Sequence, residues 1–127
     1  MSTPPRLFRI NIEVGDIAAA QAFYENLLGV PGRPQMGRRC YFDAGVTLQV
    51  VQTDRPHVAA KALYFLTGEL DAAHRRASEL GCLSKEAVHG EPGGGPVVRP
   101  WGERSFYADD PWGNPLCFVE QGTVYEG

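Results

Sequence analysis

The stretch Trp101-Gly102-Glu103-Arg104-Ser105-Phe106-Tyr107-Ala108-Asp109-Asp110-Pro111-Trp112-Gly113-Asn114-Pro115-Leu116-Cys117-Phe118-Val119-Glu120 decides how this chain reads. Its centre, Asp110-Pro111-Trp112-Gly113-Asn114, puts proline early in a turn and glycine where a left-handed backbone is wanted. The runs on either side are rich in aromatic and branched residues, so the segment predicts strand, tight turn, strand.

Outward from that turn, the chain repeats itself. Gly113-x-x-Leu116-Cys117 is matched at a constant offset by Gly45-x-x-Leu48-Gln49. Upstream of each copy lies a helical pattern. Asp16 to Gly29 has an acidic N-cap and a closing glycine, with Ile17, Ala20, Phe23 and Leu27 on one side. Glu69 to Gly81 follows the same plan, with Leu70, Ala73, Ala77 and Leu80 at helical spacing and acids in the first turn. A strand-like run precedes each helix, Leu7 to Val14 and Ala62 to Leu66. The reading is α+β, with two tandem βαβββ modules forming curved mixed sheets around a cavity. Expected elements are a strand at about 6–14, a helix at 16–28 and strands near 31–36, 38–44 and 46–53. The second module repeats them as a strand at 61–67, a helix at 69–80 and strands near 83–89, 104–109 and 115–121. Module one covers about 5–54 and module two about 58–122 of a single domain, 1–127, with the joint near Thr53-Asp54-Arg55-Pro56-His57.

Strand alternation then sorts the side chains. In the first strand Ile10, Ile12 and Val14 should face the helix, leaving Arg9, Asn11 and Glu13 on the opposite, cavity side. A long connection from His89 to Arg104, rich in glycine and proline and carrying Trp101, is of a length that compact domains keep for function or leave disordered. Gly93-Gly94-Gly95 would give it mobility, and Val97 to Trp101 would form an arm over the cavity mouth. Trp112, at the turn tip, reads as a candidate interface residue.

W-G-x-R-x-F at Trp101 to Phe106, followed by D-P-x-G-N at Asp110 to Asn114, resembles the closing strands of the vicinal oxygen chelate superfamily. That superfamily includes glyoxalase I, extradiol dioxygenases, fosfomycin-modifying enzymes and bleomycin-resistance proteins, and the motif is most similar to the bleomycin-resistance branch. The resemblance implies a homodimer with ligand clefts between subunits. It also implies four metal-ligand positions, which fall on Arg9, Gln49, Ala62 and Cys117. A divalent ion wants several oxygen or imidazole donors, and a guanidinium would repel it. The expectation is no metal and no other cofactor.

The residues favour binding over catalysis. Ser105, Cys117 and His89 lack the setting of a nucleophile elbow, and Glu13 would serve as a base only if buried. No catalytic residue is assigned. The expected ligand contacts are Trp101, Arg104, Arg9, Asn11, Gln49, Tyr64 and Tyr107. Trp101 would stack on a flat ligand, and Arg104 would hold a ligand carbonyl or pair with Asp109 or Asp110. Glu91, Glu103, Asp109 and Asp110 near the mouth would attract a cation, whereas Arg9 suits a carboxylate or phenolate. The expected function is metal-independent binding of a small molecule, sequestering an aromatic or cationic toxic compound in the manner of antibiotic resistance. The alternative is a glyoxalase-like metal-dependent lyase, isomerase or dioxygenase.

Composition narrows the partners. With 127 residues, 43% of them hydrophobic, the chain can bury a real core. A net charge of −3 leaves no electrostatic footprint for nucleic acid. No apolar run reaches the ~20 residues that span a bilayer and no signal-peptide core is present, so a cytoplasmic protein without membrane partners is expected. The three cysteines, Cys40, Cys82 and Cys117, show no metal-binding spacing and read as reduced, buried thiols.

Overall fold

The computed structural model describes residues 3–126. Met1, Ser2 and Gly127, which the expected domain includes, lie outside the described residues. In the first module, strand β1 (Arg9–Val14) leads into helix α1 (Ile17–Leu28) and then to β2 (Arg33–Gln35), β3 (Arg39–Ala44) and β4 (Val46–Gln52). In the second, β5 (Leu63–Thr67) leads into α2 (Leu70–Glu79). Three two-residue strands follow, β6 (Ala87–Val88), β7 (Glu91–Pro92) and β8 (Val97–Val98), and the longer β9 (Arg104–Asp109) and β10 (Pro115–Glu120) close the chain.

The duplication is visible in the sheet topology. Strand order is β1-β4-β3-β2 in the first sheet and β5-β10-β9-β8 in the second. In each, the strand before the helix pairs in parallel with the last strand of its module, and the remaining pairings are antiparallel. The fold is mixed α+β in two modules, as the sequence pattern predicts.

Helix α1 is built as expected at both ends, whereas α2 starts without a side-chain cap. Asp16 caps α1 by accepting a hydrogen bond from Ala19 N at 2.9 Å, and Gly29 closes it in the left-handed region. At α2 the N-cap position holds Glu69, which makes no side-chain cap. Burial follows the predicted stripes. Ala20, Phe23, Tyr24 and Leu27 of α1 and Leu70, Ala73 and Ala77 of α2 meet Ile12, Val14, Phe42, Leu48, Phe106, Leu116 and Phe118 in one core cluster that draws on both modules.

The expected strand near 83–89 does not form as one element. Leu83 makes only an isolated bridge to Ala108, and Ala87–Val88 pairs with Glu91–Pro92 in a small separate hairpin. The edge of the second sheet is taken instead by β8, inside the segment expected to be a loop. Prolines 92 and 96 and the glycines between them interrupt any longer strand. Two of those glycines have a packing role. A Cβ on Gly93 would lie 2.5 Å from Glu86 O, and one on Gly94 would lie 2.6 Å from Ser84 O, so glycine lets the segment pack directly on the backbone of residues 84–86.

The Asp110–Asn114 turn is a joint between the modules. The Asp110 carboxylate accepts from Trp112 N and Asn114 N, and from the Tyr24 hydroxyl at 2.7 Å. Asn114 donates to Glu13 O at 2.9 Å and accepts from Ala59 N at 2.8 Å, tying module one and the connecting segment to β10. Trp112 is accordingly half-buried against the core, and only a glycine at position 15 fits beneath it, since a Cβ there would lie 2.6 Å from the indole Nε1. Within the chain its place is packing. Among the described residues no helix is long and apolar enough to cross a membrane.

Candidate functional site

Each sheet has a face covered by its helix and an open face, and the parity of the strands assigns the side chains between them. In β1, Ile12 and Val14 are buried while Arg9 and Asn11 are exposed, as alternation predicts. Across the first sheet, Asn11, Gln49 and Tyr41 stand side by side in register, as do Arg9, Thr47 and Asp43. The equivalent row in the second sheet is Tyr64, Cys117 and Tyr107. These three rows hold Arg9, Asn11, Gln49, Tyr64 and Tyr107 of the expected ligand contacts.

On the first open face, Arg9 donates from Nη1 to the Tyr41 hydroxyl, and its guanidinium lies 4.9 Å from the Phe8 ring centre. Arg33 lies 5.6 Å from the Tyr41 ring and pairs with Asp43 at 2.7 Å. Gln49 is buried in the centre of the row. Glu13, at the far end, accepts from His57 N at 2.9 Å, a bond that holds its carboxyl below the usual carboxylate range. A carboxyl held below its usual range suits a structural anion and not a general base near neutrality.

On the second open face, the Tyr64 and Tyr107 hydroxyls lie 3.3 Å apart. Cys117 sits between the two tyrosines in the register, buried, and burial pushes its thiol up to about 11. A neutral, shielded thiol is a poor nucleophile. Tyr64 is 61% exposed and Leu66 59%, so this face is uncovered at β5 in the isolated chain.

Trp101 and Arg104 are placed differently from expectation. Trp101 stands in the turn between β8 and β9, donates from Nε1 to Glu103 at 2.8 Å and meets the His89 ring edge-on at 4.9 Å. It packs on its own connecting segment. Arg104 has the parity of Phe106, on the helix side of the sheet, where it pairs with Asp71 of α2 at 2.8 Å and Glu120 of β10 at 2.7 Å. Those partners replace the expected Asp109 and Asp110 and leave Arg104 committed to tying the helix to the sheet. Asp110 is buried in the turn and Glu103 serves Trp101 and Tyr125 N, so these two acids do not contribute to the expected acidic mouth.

An apolar cleft of about 570 Å³ lies between the modules. Leu27 and Leu28 from α1, Val46 and Leu48 from β4, and Leu63 to Leu66 from β5 line much of it. Of the expected contacts only Tyr64 borders it. Alternation in single strands could not reveal this cleft, because it forms where two elements distant in sequence leave a gap.

Arg99 is the site residue that sequence reading missed. It lies on the second open face beside Ser105 and the Tyr107 ring and is 2% exposed. Nothing in Val98-Arg99-Pro100 marks it, since an arginine beside a proline in a polar segment reads as solvated.

The residues at the positions where the resemblance implies metal ligands offer few donors. Arg9 brings a cation, Ala62 brings no donor, Gln49 one amide oxygen and Cys117 a thiol that burial keeps protonated. Among the described residues no three His, Cys, Asp or Glu side chains gather into a group able to hold an ion.

The sequence profile of the glyoxalase/bleomycin resistance protein/dioxygenase superfamily matches residues 6–118. No curated protein matches the sequence significantly. Among solved structures, the oxidase ChaP-H2 superposes with a TM-score of 0.74 at 24% identity, covering 98% of this chain and 100% of its own. A glyoxalase/bleomycin resistance protein from Albidiferax ferrireducens gives 0.71 at 21% identity, covering 90% of this chain and 97% of its own. The fosfomycin resistance protein FosX from Listeria monocytogenes gives 0.71 at 20%, covering 93% and 94%. At such identities these likenesses carry the fold alone. Matched by the family profile over almost its whole length, the chain belongs to the glyoxalase/bleomycin resistance protein/dioxygenase superfamily.

Proposed function

We propose that this protein binds a small aromatic molecule without the help of a metal, sequestering it as bleomycin-resistance proteins do. The observation that carries this reading is the donor set at the fold's metal positions, Arg9, Gln49, Ala62 and Cys117, in which a guanidinium and a methyl group stand where ligands would be needed. The alternative, a metal-dependent lyase, isomerase or dioxygenase, requires donors that these positions do not supply.

The binding surfaces in this reading are the open faces, with Arg9, Asn11 and Gln49 on one and Tyr64 and Tyr107 on the other. Trp101 contributes from the turn at the sheet edge. Basic groups dominate the first face through Arg9, Arg33 and Arg39, and two of the acids expected to attract a cation, Glu103 and Asp110, are engaged elsewhere. The cationic part of the expectation is therefore dropped. A homodimer belongs to the same proposal, because Tyr64 and Leu66 are exposed on one face and β1 and β5 are sheet edges. Sedimentation that finds only monomer at micromolar concentration would remove that element.

A panel of aromatic compounds titrated against the protein, with and without a strong chelator, tests the function. Binding should survive the chelator unchanged. Trp101→Ala should weaken it roughly two- to thirtyfold, the range of one stacking or cation–π contact, while the thermal midpoint stays close to that of the native protein. Affinity that vanishes with chelation would sink the reading.

A further inference from the structure

The second open face holds a buried cation that pairs with no carboxylate among the described residues. Arg99 donates from Nε to Ser105 Oγ at 3.0 Å, and from Nη2 to Ser105 O at 3.1 Å and Gly93 O at 3.4 Å. Those three bonds use every N–H on Nε and Nη2. Nη1 is closed off from solvent and has no partner, so both of its N–H groups are unused. The arginine ion pairs among the described residues involve Arg33 and Arg104 and leave Arg99 out. A charge that is out of water and unpaired is unfavourable, and an orphaned donor adds to the cost. Folds tolerate such a group where it meets a ligand of opposite charge.

The surroundings select the sign and shape of that ligand. The Tyr107 ring lies 5.2 Å from the guanidinium carbon, presenting an aromatic plane beside the cation. The Tyr64 hydroxyl lies 3.3 Å from that of Tyr107, and Tyr64 is exposed, so a ligand can reach it. Ser105 directs its hydroxyl to the same guanidinium. The row beside it on β10 is filled by the uncharged Cys117, flanked by Tyr64 and Tyr107.

We propose that the open face of the second sheet is a carboxylate subsite, in which the two free N–H groups of Arg99 Nη1 and a tyrosine hydroxyl receive the carboxylate of a small aromatic acid. This rests on the binding function argued above and adds the charge and the functional group of the ligand. Tyr107 is only half-buried and covers one side of the guanidinium, so displacement of the Tyr64–Tyr107 pair admits the ligand. The carboxylate then stands in for the counter-charge that Arg99 lacks among the described residues, and the ring lies against the tyrosines.

Three probes of one shape and different charge test this: benzoate, benzamide and benzylammonium, titrated against native protein and Arg99→Met by calorimetry, with the fold of each checked by circular dichroism. Native protein should bind benzoate at least about tenfold more tightly than benzamide, and benzylammonium least, in line with a charge-assisted hydrogen bond. In Arg99→Met the preference for benzoate should disappear while benzamide binding changes little. Arg99→Lys, which keeps the charge, should retain part of the preference. The order of the probes on native protein tests the subsite even if a variant fails to fold. Benzamide and benzoate binding equally to native protein would overturn the subsite and leave aromatic binding intact. Failure of all three to bind, as when a carboxylate of a second copy already neutralises Arg99, would overturn the subsite and count against the binding function too.

Discussion

Asn114 bonds the two modules to each other. Its side chain is buried, donates to Glu13 O in β1 and to Asp110, and accepts from Ala59 N in the connecting segment. Replacing it with alanine leaves a carbonyl and an N–H without partners, each carrying the cost of an unmade buried hydrogen bond. Asn114→Ala should therefore lower the free energy of unfolding by about 2–4 kcal/mol, read from urea denaturation, with no change in which probes bind. A loss below half a kcal/mol would mean that water replaces the amide. The turn itself was legible from Asp110-Pro111-Trp112-Gly113-Asn114, because proline and glycine fix local backbone angles. Its bonds to Tyr24, Glu13 and Ala59 were not legible, since they join residues far apart in sequence. The same applies to Arg104, whose motif position was plain but whose partners, Asp71 and Glu120, depend on how α2 lies on the sheet.

The helices and long strands followed their patterns because period and capping are local properties. Ile17–Leu28 has its cap in Asp16 and its stop in Gly29, and the strands Val46–Gln52 and Pro115–Glu120 fall within a residue of expectation. The segment after α2 did not follow, since residues there form short strands whose pairing is decided by contacts with β9. After α1, the connection to β2 is pinned by Glu25, which accepts from Gly32 N at 2.8 Å and from Gln21 at 3.1 Å. The Gly32 bond, then the Gln21 bond, hold the Glu25 carboxyl below its usual value of 4.5. A carboxyl depressed on folding stabilises the native state above its unfolded value, and that contribution is lost as pH falls through the folded one. Glu25→Gln should thus be less stable than native protein near neutrality, and the gap in urea midpoints should close as pH drops below 4.5. A gap that stays constant down to about pH 3 would show that the charge is irrelevant to this connection.

At the scale of the molecule, the duplication was legible because the second copy repeats the spacing of the first, and the family match over residues 6–118 agrees with it. The site was only partly legible. Alternation placed Arg9 and Asn11 on the open face of the first sheet, where Gln49 joins them, whereas Arg99 and the cleft between the modules depend on how the connecting segment and the modules pack. The absence of suitable donors at Arg9, Gln49, Ala62 and Cys117 is the step on which the functional account turns. The most direct measurement is the metal content of untagged protein produced with zinc, nickel, manganese and iron available, then dialysed. Metal well below one equivalent per chain is predicted, with aromatic binding undiminished. Close to one tightly held equivalent would contradict the account and return the protein to the metal-dependent members of its superfamily.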